Sequence, residues 1–220
     1  GIDSGRLAGI GIGCPGPLDQ EKGIVKSPPN LIYWNNFPLK KILEDRFSVP
    51  VFLENDANAG ALGETLFGKA KGYNRVFYVT ISTGIGTGIV IDKKIYQGYA
   101  GLAGEIWAFD PDLFLGRKGF YNVNELGAGN GFEKQLRDAL AKNQSTTIDL
   151  NEPTAKSIIR AYEQGDKLAM KIVEQAVVTL SATLCFVIYL LAPDIIVLAG
   201  GLCTEPRWIV DPLIEKIRKQ

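Results

Sequence analysis

Residues 52–64, FLENDANAGALGE, end an apolar run with three polar side chains, Glu54, Asn55 and Asp56. An amide can donate and accept hydrogen bonds, and a carboxylate can take a proton. Asn55 and Asp56 together could therefore hold a hydroxyl group and activate it as a nucleophile. An ordinary helix N-cap at Asp56 is an alternative explanation, because the first backbone N–H groups of a helix need acceptors.

A second candidate is the segment ISTGIGTGIV, which carries glycine at every second position, at Gly84, Gly86 and Gly88. A dinucleotide-binding fingerprint would have to open a helix, whereas strand residues follow here. We therefore predict a tight hairpin whose N–H groups, with the hydroxyls of Ser82 and Thr83, receive phosphate oxygens. A hairpin that needs glycine only for its turn remains the alternative.

A third candidate is the glycine pair in LAGGLC, Gly200 and Gly201. Glycines after an apolar strand let a flat ligand approach the backbone closely, although they equally suit a simple strand-to-helix turn. Next to the phosphate hairpin, the pair could form the far wall of a nucleotide site.

The elements that position these residues follow two patterns. The first is strand, helix, strand and helix, which is a βαβ signature, at 7–15, 38–47, 49–54 and 55–67. The second is a β-meander over residues 76–98. Helices follow near 126–142, 154–164 and 166–192, and then a strand at 194–202 and a helix at 211–220. We place the boundary in the turn at 71–74, which gives two lobes, 1–72 and 73–220, with a small-molecule cleft between them.

Composition excludes several classes of function. The 220 residues hold 24 Lys plus Arg and 24 Asp plus Glu, so no net charge attracts nucleic acid or anionic membrane. Histidine is absent, which removes histidine-based catalysis. Cys14, Cys185 and Cys203 lie far apart in apolar stretches, which favours free thiols in a reducing cytoplasm. The uncharged run at 177–192 is too short for a membrane span and predicts a buried core helix.

Six segments resemble, in order and over nearly the whole chain, the ROK family of bacterial sugar kinases and sugar-responsive repressors. They are GIGIGCPGPLD, SPPNLIYWNNFPL, PVFLENDANAGALGE, YVTISTGIGTGIVID, GLAGEI and IIVLAGGL. The resemblance implies an α/β fold of the actin/hexokinase-like (ribonuclease-H-like) two-lobed ATPase class, here in partial form.

The resemblance also implies roles for single residues. Asp56 matches the catalytic base that takes the proton of the sugar hydroxyl. The sugar-binding positions it implies are Asn30, Asn55, Glu105 and Glu125. The ATP-binding positions it implies are Thr83, Gly84, Gly86, Gly200 and Gly201.

The chain departs from the family pattern in its zinc module. Ala108 stands where the family has a histidine after the GEI segment, and the family's cysteine cluster is replaced by Gly116, Lys118 and Val123. We therefore expect no zinc and no protein metal site, and the identity of the sugar stays open.

The leading expectation is an ATP-dependent sugar kinase that uses ATP and Mg²⁺ on a hexose or N-acetylhexosamine. The alternative is a sugar-responsive transcriptional regulator whose DNA-binding domain is outside this chain. The family resemblance implies a cytoplasmic dimer or tetramer. The chain starts with Gly1 and lacks the family's first phosphate loop, and the family usually continues beyond the last helix seen here. We therefore expect the chain to be truncated at both ends and to be impaired as an isolated enzyme.

Overall fold

The N-terminal part of the chain forms the strand-helix-strand unit that the sequence predicts. The computed structural model describes residues 7–28, 31–110, 121–204 and 208–219. Strand β1 (Ile10–Cys14) lies parallel to β4 (Val51–Asn55), and helix α1 (Leu39–Phe47) connects them. The two strands end together, because Cys14 pairs with Asn55 in the register.

The polar loop expected after β1 contains a hairpin that the sequence pattern does not indicate. Strand β2 (Leu18–Asp19) pairs antiparallel with β3 (Ile24–Val25). Val25 is fully buried and packs with Cys14 and Val51 in a small apolar cluster. Strands of two residues are too short to show an alternating pattern in sequence.

The second part of the described chain is built on a four-stranded sheet with the order β7-β6-β5-β8. Its strands are β5 (Arg75–Ile81), β6 (Ile85–Ile91), β7 (Lys94–Ile95) and β8 (Ile195–Ala199). The first three form the predicted antiparallel meander, and β8 pairs parallel with β5. The ends of β5 and β8 are therefore neighbours, although they are far apart in sequence.

Helices follow the meander, most of them between β7 and β8 in the chain and the last two after β8. They are α3 (Val123–Gly127), α4 (Gly129–Ala141), α5 (Ala155–Glu163), α6 (Lys167–Leu191), α7 (Gly201–Thr204) and α8 (Val210–Arg218). The single helix expected near 126–142 is two helices, because Ala128 between them has an extended backbone with φ −100 and ψ 166. Leu136, Ile158, Leu180 and Leu213 from these helices meet in the main core.

Helix α6 is the buried apolar helix expected around 177–192. Its length and its mean hydropathy of 1.8 would suffice to cross a membrane, but 56% of that apolar stretch is buried inside the protein. The central helix of a globular core meets the same criteria. Three apolar side chains at its C-terminal end remain exposed, namely Phe186, Tyr189 and Leu190.

Helix α2 (Asp56–Phe67) packs against both sheets, and glycines allow its close approach. A Cβ atom on Gly88 of β6 would lie 2.7 Å from the Cβ of Ala61. On the other side, a Cβ on Gly13 of β1 would lie 3.5 Å from the Cα of Asp56. The same Cβ on Gly88 would lie 2.8 Å from the carbonyl oxygen of Ala57, so β6 packs closely against the first turn of α2, where the candidate base lies.

Candidate functional site

At the junction between β4 and α2, one residue caps the helix and the next residue has an exposed carboxylate. Asn55, with an extended backbone at φ −59 and ψ 138, is the N-cap of α2. Its Oδ1 accepts hydrogen bonds from the N–H groups of Ala57 at 3.0 Å and Asn58 at 3.2 Å. Asp56 is the first helical residue, and its side chain is exposed. The interpretation of Asp56 as the N-cap is therefore wrong by one residue, because the strand conformation continues through Asn55.

At the same junction, the carboxylate of Glu54 accepts hydrogen bonds from several donors. Its Oε1 accepts hydrogen bonds from the side-chain amides of Gln20 and Asn58 and from the backbone N–H of Asn55. Its Oε2 accepts from Nε2 of Gln97 at 3.1 Å. Sequence analysis missed Gln20 and Gln97, because they are 34 and 43 residues away from Glu54 and no local pattern links them.

The tip of the glycine hairpin is exposed and attached to helix α4. Ser82, Thr83 and Gly84 connect β5 to β6. The carbonyl oxygen of Ser82 accepts from the N–H of Gly129 at 2.8 Å, and that of Thr83 accepts from the N–H of Asn130 at 3.0 Å. The predicted phosphate loop is therefore held in place by the first residues of α4.

The hairpin also packs against the first turn of α2. A Cβ atom on Gly86 would lie 3.0 Å from the Cβ of Ala57, the residue that follows Asp56. A Cβ on Gly84 would lie 3.3 Å from Oδ1 of Asn124. The structure thus brings the candidate base and the candidate phosphate loop together, and the glycines are needed for close approach as well as for the turn.

Gly200 and Gly201 lie beside the base of this hairpin. Gly200 has φ +93, and a Cβ atom there would lie 2.4 Å from the carbonyl oxygen of Ile81. A Cβ on Gly201 would lie 3.6 Å from Oγ of Ser82. The glycine pair therefore adjoins the hairpin, and only glycine fits at position 200.

Glu105 lies on the irregular segment between β7 and α3. It is exposed, and its Oε2 accepts a hydrogen bond from Nε1 of Trp107. The neighbouring carbonyl oxygen of Gly104 accepts from Oγ1 of Thr87 on β6, which ties the segment to the sheet. Trp107 therefore orients the carboxylate that the family resemblance assigns to sugar binding.

Glu125 has a different environment. It forms a capping box with Asn122, whose Oδ1 accepts from the N–H of Glu125 at 2.9 Å while Oε2 of Glu125 accepts from the N–H of Asn122 at 3.1 Å. Its Oε1 accepts from Nζ of Lys134. This hydrogen bond holds the pKa of the Glu125 carboxyl below its ordinary value. Both oxygens thus have protein partners, and sugar binding by Glu125 stays a prediction.

The charge of Asp56 acts on neighbours from both sheets. Burial raises the pKa of the Cys14 thiol on β1, and the Asp56 carboxylate raises it further. Burial is also the main reason that the pKa of Tyr78 on β5 is raised, with Asp56 among the smaller contributions. Asp56 is therefore close enough to both sheets for its charge to be felt in each.

Three positions named in the sequence analysis lie outside the described residues, namely Asn30, Gly116 and Lys118. Within residues 7–28, 31–110, 121–204 and 208–219, no group of three or more His, Cys, Asp or Glu side chains is arranged to hold a metal ion.

Comparison with known proteins gives the class of this fold and then its family. The Thermus thermophilus ROK hexokinase superposes with a TM-score of 0.80 at 32% sequence identity, over 97% of this chain and 70% of that one. The fold is therefore of the actin/hexokinase-like class, as predicted. The family profile described as ROK family matches residues 3–220, and the chain belongs to this family.

Relatives of the chain have two kinds of function. It is 32% identical to the glucokinase of Thermotoga maritima over 218 residues, which are 94% of this chain and 68% of that protein. It is 47% identical to the xylose repressor of Bacillus spizizenii over 100 residues, which are 46% of this chain and 26% of the repressor. This chain covers 54% to 71% of the length of the relatives that match nearly all of it.

Proposed function

We propose that the chain is part of an ATP-dependent sugar kinase that transfers the γ-phosphate of ATP to a hydroxyl group of a hexose or N-acetylhexosamine. The observation that carries this proposal is the position of Asp56. Its exposed carboxylate starts α2, and the next residue, Ala57, packs against Gly86 of the glycine hairpin. A proton acceptor and a candidate phosphate loop are thus adjacent.

Asn55 and Asp56 have complementary roles in this proposal. The Oδ1 of Asn55 is used in capping α2, which leaves its Nδ2 to orient a sugar oxygen. Asp56 accepts the proton of the sugar hydroxyl while the sugar oxygen bonds to phosphorus and the bond from phosphorus to the leaving ADP breaks. Alignment of the two reacting groups then supplies most of the catalysis, because phosphoryl transfer needs little covalent chemistry from the protein.

The surroundings of the hairpin fit a nucleotide. Gly86 lies close to the side chains of Ala57 and Thr80, Gly200 lies against the backbone of Ile81, and the hairpin tip beside them is exposed. A cavity of about 320 Å³ adjoins the tip, and Asn124, Asn130 and Glu125 are among the residues that line it. Mg²⁺, which travels with ATP, would neutralise phosphate charge when it is bound.

The test is a coupled assay for ADP release with ATP, Mg²⁺ and a panel of hexoses, pentoses and N-acetylhexosamines, alongside calorimetric titration of each sugar. For the full-length protein, we expect ADP release that requires one class of sugar. ADP release with no sugar dependence, or none with any sugar that binds, would contradict the kinase proposal.

A sugar-responsive regulator is the second candidate function. It is favoured by the 47% identity to a xylose repressor and by Ala108, which stands where the family pattern has histidine. In this case the same pocket would bind a sugar as an effector. Sugar binding in the titration without ADP release in the coupled assay is the result that the regulator predicts.

A further inference from the structure

We propose that Glu54 is a positioning residue of the sugar site: its carboxylate fixes the spacing between the Asn55–Asp56 pair and the segment that carries Glu105. The inference rests on the proposed sugar site and adds a residue that the family resemblance does not assign. Glu54 is half-buried at the end of β4, on the strand face opposite to the buried side chain of Leu53.

The hydrogen bonds of Glu54 require a carboxylate. Three side-chain amide groups and one backbone N–H, all of them donors, converge on its two oxygens. Two carboxylate oxygens offer about four acceptor positions, whereas glutamine would replace one oxygen with an NH₂ group. That NH₂ group would face other NH₂ groups, so glutamine cannot satisfy the same partners.

One side of this arrangement holds the candidate base. Oε1 of Glu54 accepts from the backbone N–H of Asn55 at 2.8 Å and from Nδ2 of Asn58 at 3.1 Å. These two residues are the N-cap of α2 and a member of its first turn, on either side of Asp56. A displacement of the Glu54 carboxylate would therefore change the direction in which Asp56 points.

The other side holds the segment of Glu105. Nε2 of Gln97 donates to Oε2 of Glu54, while the carbonyl oxygen of Gln97 accepts from the N–H of Ala103 at 3.0 Å. Leu102, the residue before Ala103, accepts from the N–H of Glu105 at 3.4 Å. A short chain of contacts thus connects the carboxylate of Glu54 to the backbone of Glu105.

Gln20 closes the arrangement from the β2-β3 hairpin. Its Nε2 donates to Oε1 of Glu54, and its Oε1 accepts from Nε2 of Gln97 at 2.8 Å. Residues from the N-terminal hairpin, from β4 and from the segment after β7 therefore meet at one carboxylate. A sugar that contacts both Asn55 and Glu105 must match the distance that this arrangement sets.

The experiment measures the dissociation constant of the sugar by calorimetry, with glucose, xylose and N-acetylmannosamine as probes. In Glu54→Gln we expect the dissociation constant to rise about tenfold or more, since hydrogen bonds to a charged group are lost. The conservative variant Glu54→Asp keeps a charged acceptor for the same donors, and we expect it to retain more of the affinity than Glu54→Gln. Gln97→Ala breaks only the link to the Glu105 segment, so an intermediate loss is expected.

Glu44→Gln is the matched control, because Oε1 of Glu44 accepts from the N–H of Val51 at the opposite end of the same strand. We expect it to keep the wild-type affinity. Unchanged affinity in Glu54→Gln and Gln97→Ala, or equal loss in Glu44→Gln, overturns the positioning role while leaving the proposed function intact. A wild-type chain that binds no member of the panel of hexoses, pentoses and N-acetylhexosamines overturns the sugar site itself.

Discussion

Two carboxylates expected to contact the sugar, Asp56 and Glu125, both lie in the first turn of a helix, yet their surroundings differ. Asp56 is exposed, and the hydrogen bond it makes among the described residues is to the N–H of Ala57 at 2.9 Å. Glu125 is bound on both oxygens, by Asn122 and by Lys134.

The difference comes from the position of each carboxylate in its helix, because both N-caps are asparagine: Asp56 is the first helical residue and Glu125 is the third. In α2 the cap is an amide, Asn55, so the adjacent Asp56 is left for a ligand. In α3 the cap Asn122 is completed by Glu125 itself, so that carboxylate stabilises its own helix. A carboxylate at the first helical position is therefore a better candidate for chemistry than one at the third position, whose side chain can reach back to close a capping box.

The sharpest test of this comparison is Asp56→Asn. Under the kinase proposal we expect kcat to fall by about 10²–10⁴-fold, the usual loss when a general base is removed. Stability should change by less than about 0.5 kcal/mol, because asparagine can accept the same backbone hydrogen bond at this exposed position. Coupled ADP release and thermal melting measure the two effects, and unchanged turnover would remove Asp56 from the mechanism.

For the stability of the fold, we expect Glu125 to matter more than Asp56. Glu125→Ala removes half of a capping box and the partner of Lys134, so the free energy of unfolding should fall by about 1–2 kcal/mol. Asp56→Ala should cost less than about 0.5 kcal/mol. Urea denaturation of the two variants measures this difference, and equal losses would break the comparison. Calorimetry of Glu125→Gln with the sugar shows whether Glu125 also contacts it.

Asn55 allows capping and sugar binding to be separated. Asn55→Ala should lower the free energy of unfolding by about 1 kcal/mol through loss of the N-cap, and it should also weaken sugar binding. Asn55→Asp keeps a good N-cap but exchanges an amide donor for a carboxylate. It should therefore keep its stability in urea denaturation while losing sugar affinity in calorimetry. Wild-type affinity in Asn55→Asp would exclude the amide as a sugar ligand.

The smallest expected effect is a pH dependence of stability from Glu125. Its pKa is lowered from 4.5 by the hydrogen bond from Lys134, so its stabilising contribution is present above the unfolded-state pKa. The contribution is lost as the pH falls through the lower folded-state pKa. We expect Lys134→Gln to lose less stability than the wild type between about pH 5 and pH 3 in urea titrations. Identical pH profiles of the two proteins would contradict the conclusion that Lys134 lowers the pKa of Glu125.

The sequence predicted the strand-helix-strand unit and the meander, because glycine spacing and apolar alternation are local signals, and the family resemblance implied the actin/hexokinase-like class. It could not predict that Asn55 rather than Asp56 caps α2, since both residue types suit that position. Nor could it predict the cluster around Glu54, because Gln20 and Gln97 reach it through the tertiary fold.

The two-residue strands β2 and β3 were missed for a related reason. Their pairing depends on the burial of Val25 against β1 and β4, which no alternating pattern in the loop reveals. The break at Ala128 between α3 and α4 was missed because alanine favours helix, and the tertiary contact of Gly129 with Ser82 overrides that preference.

The attachment of the glycine hairpin limits how its loop can change during evolution. The carbonyl oxygens of Ser82, Thr83 and Gly84 accept, in turn, from Gly129, Asn130 and Ser82. An inserted residue would move at least one of these oxygens out of reach of its donor. We therefore expect the length of this loop to be constrained independently of the chemistry of its side chains.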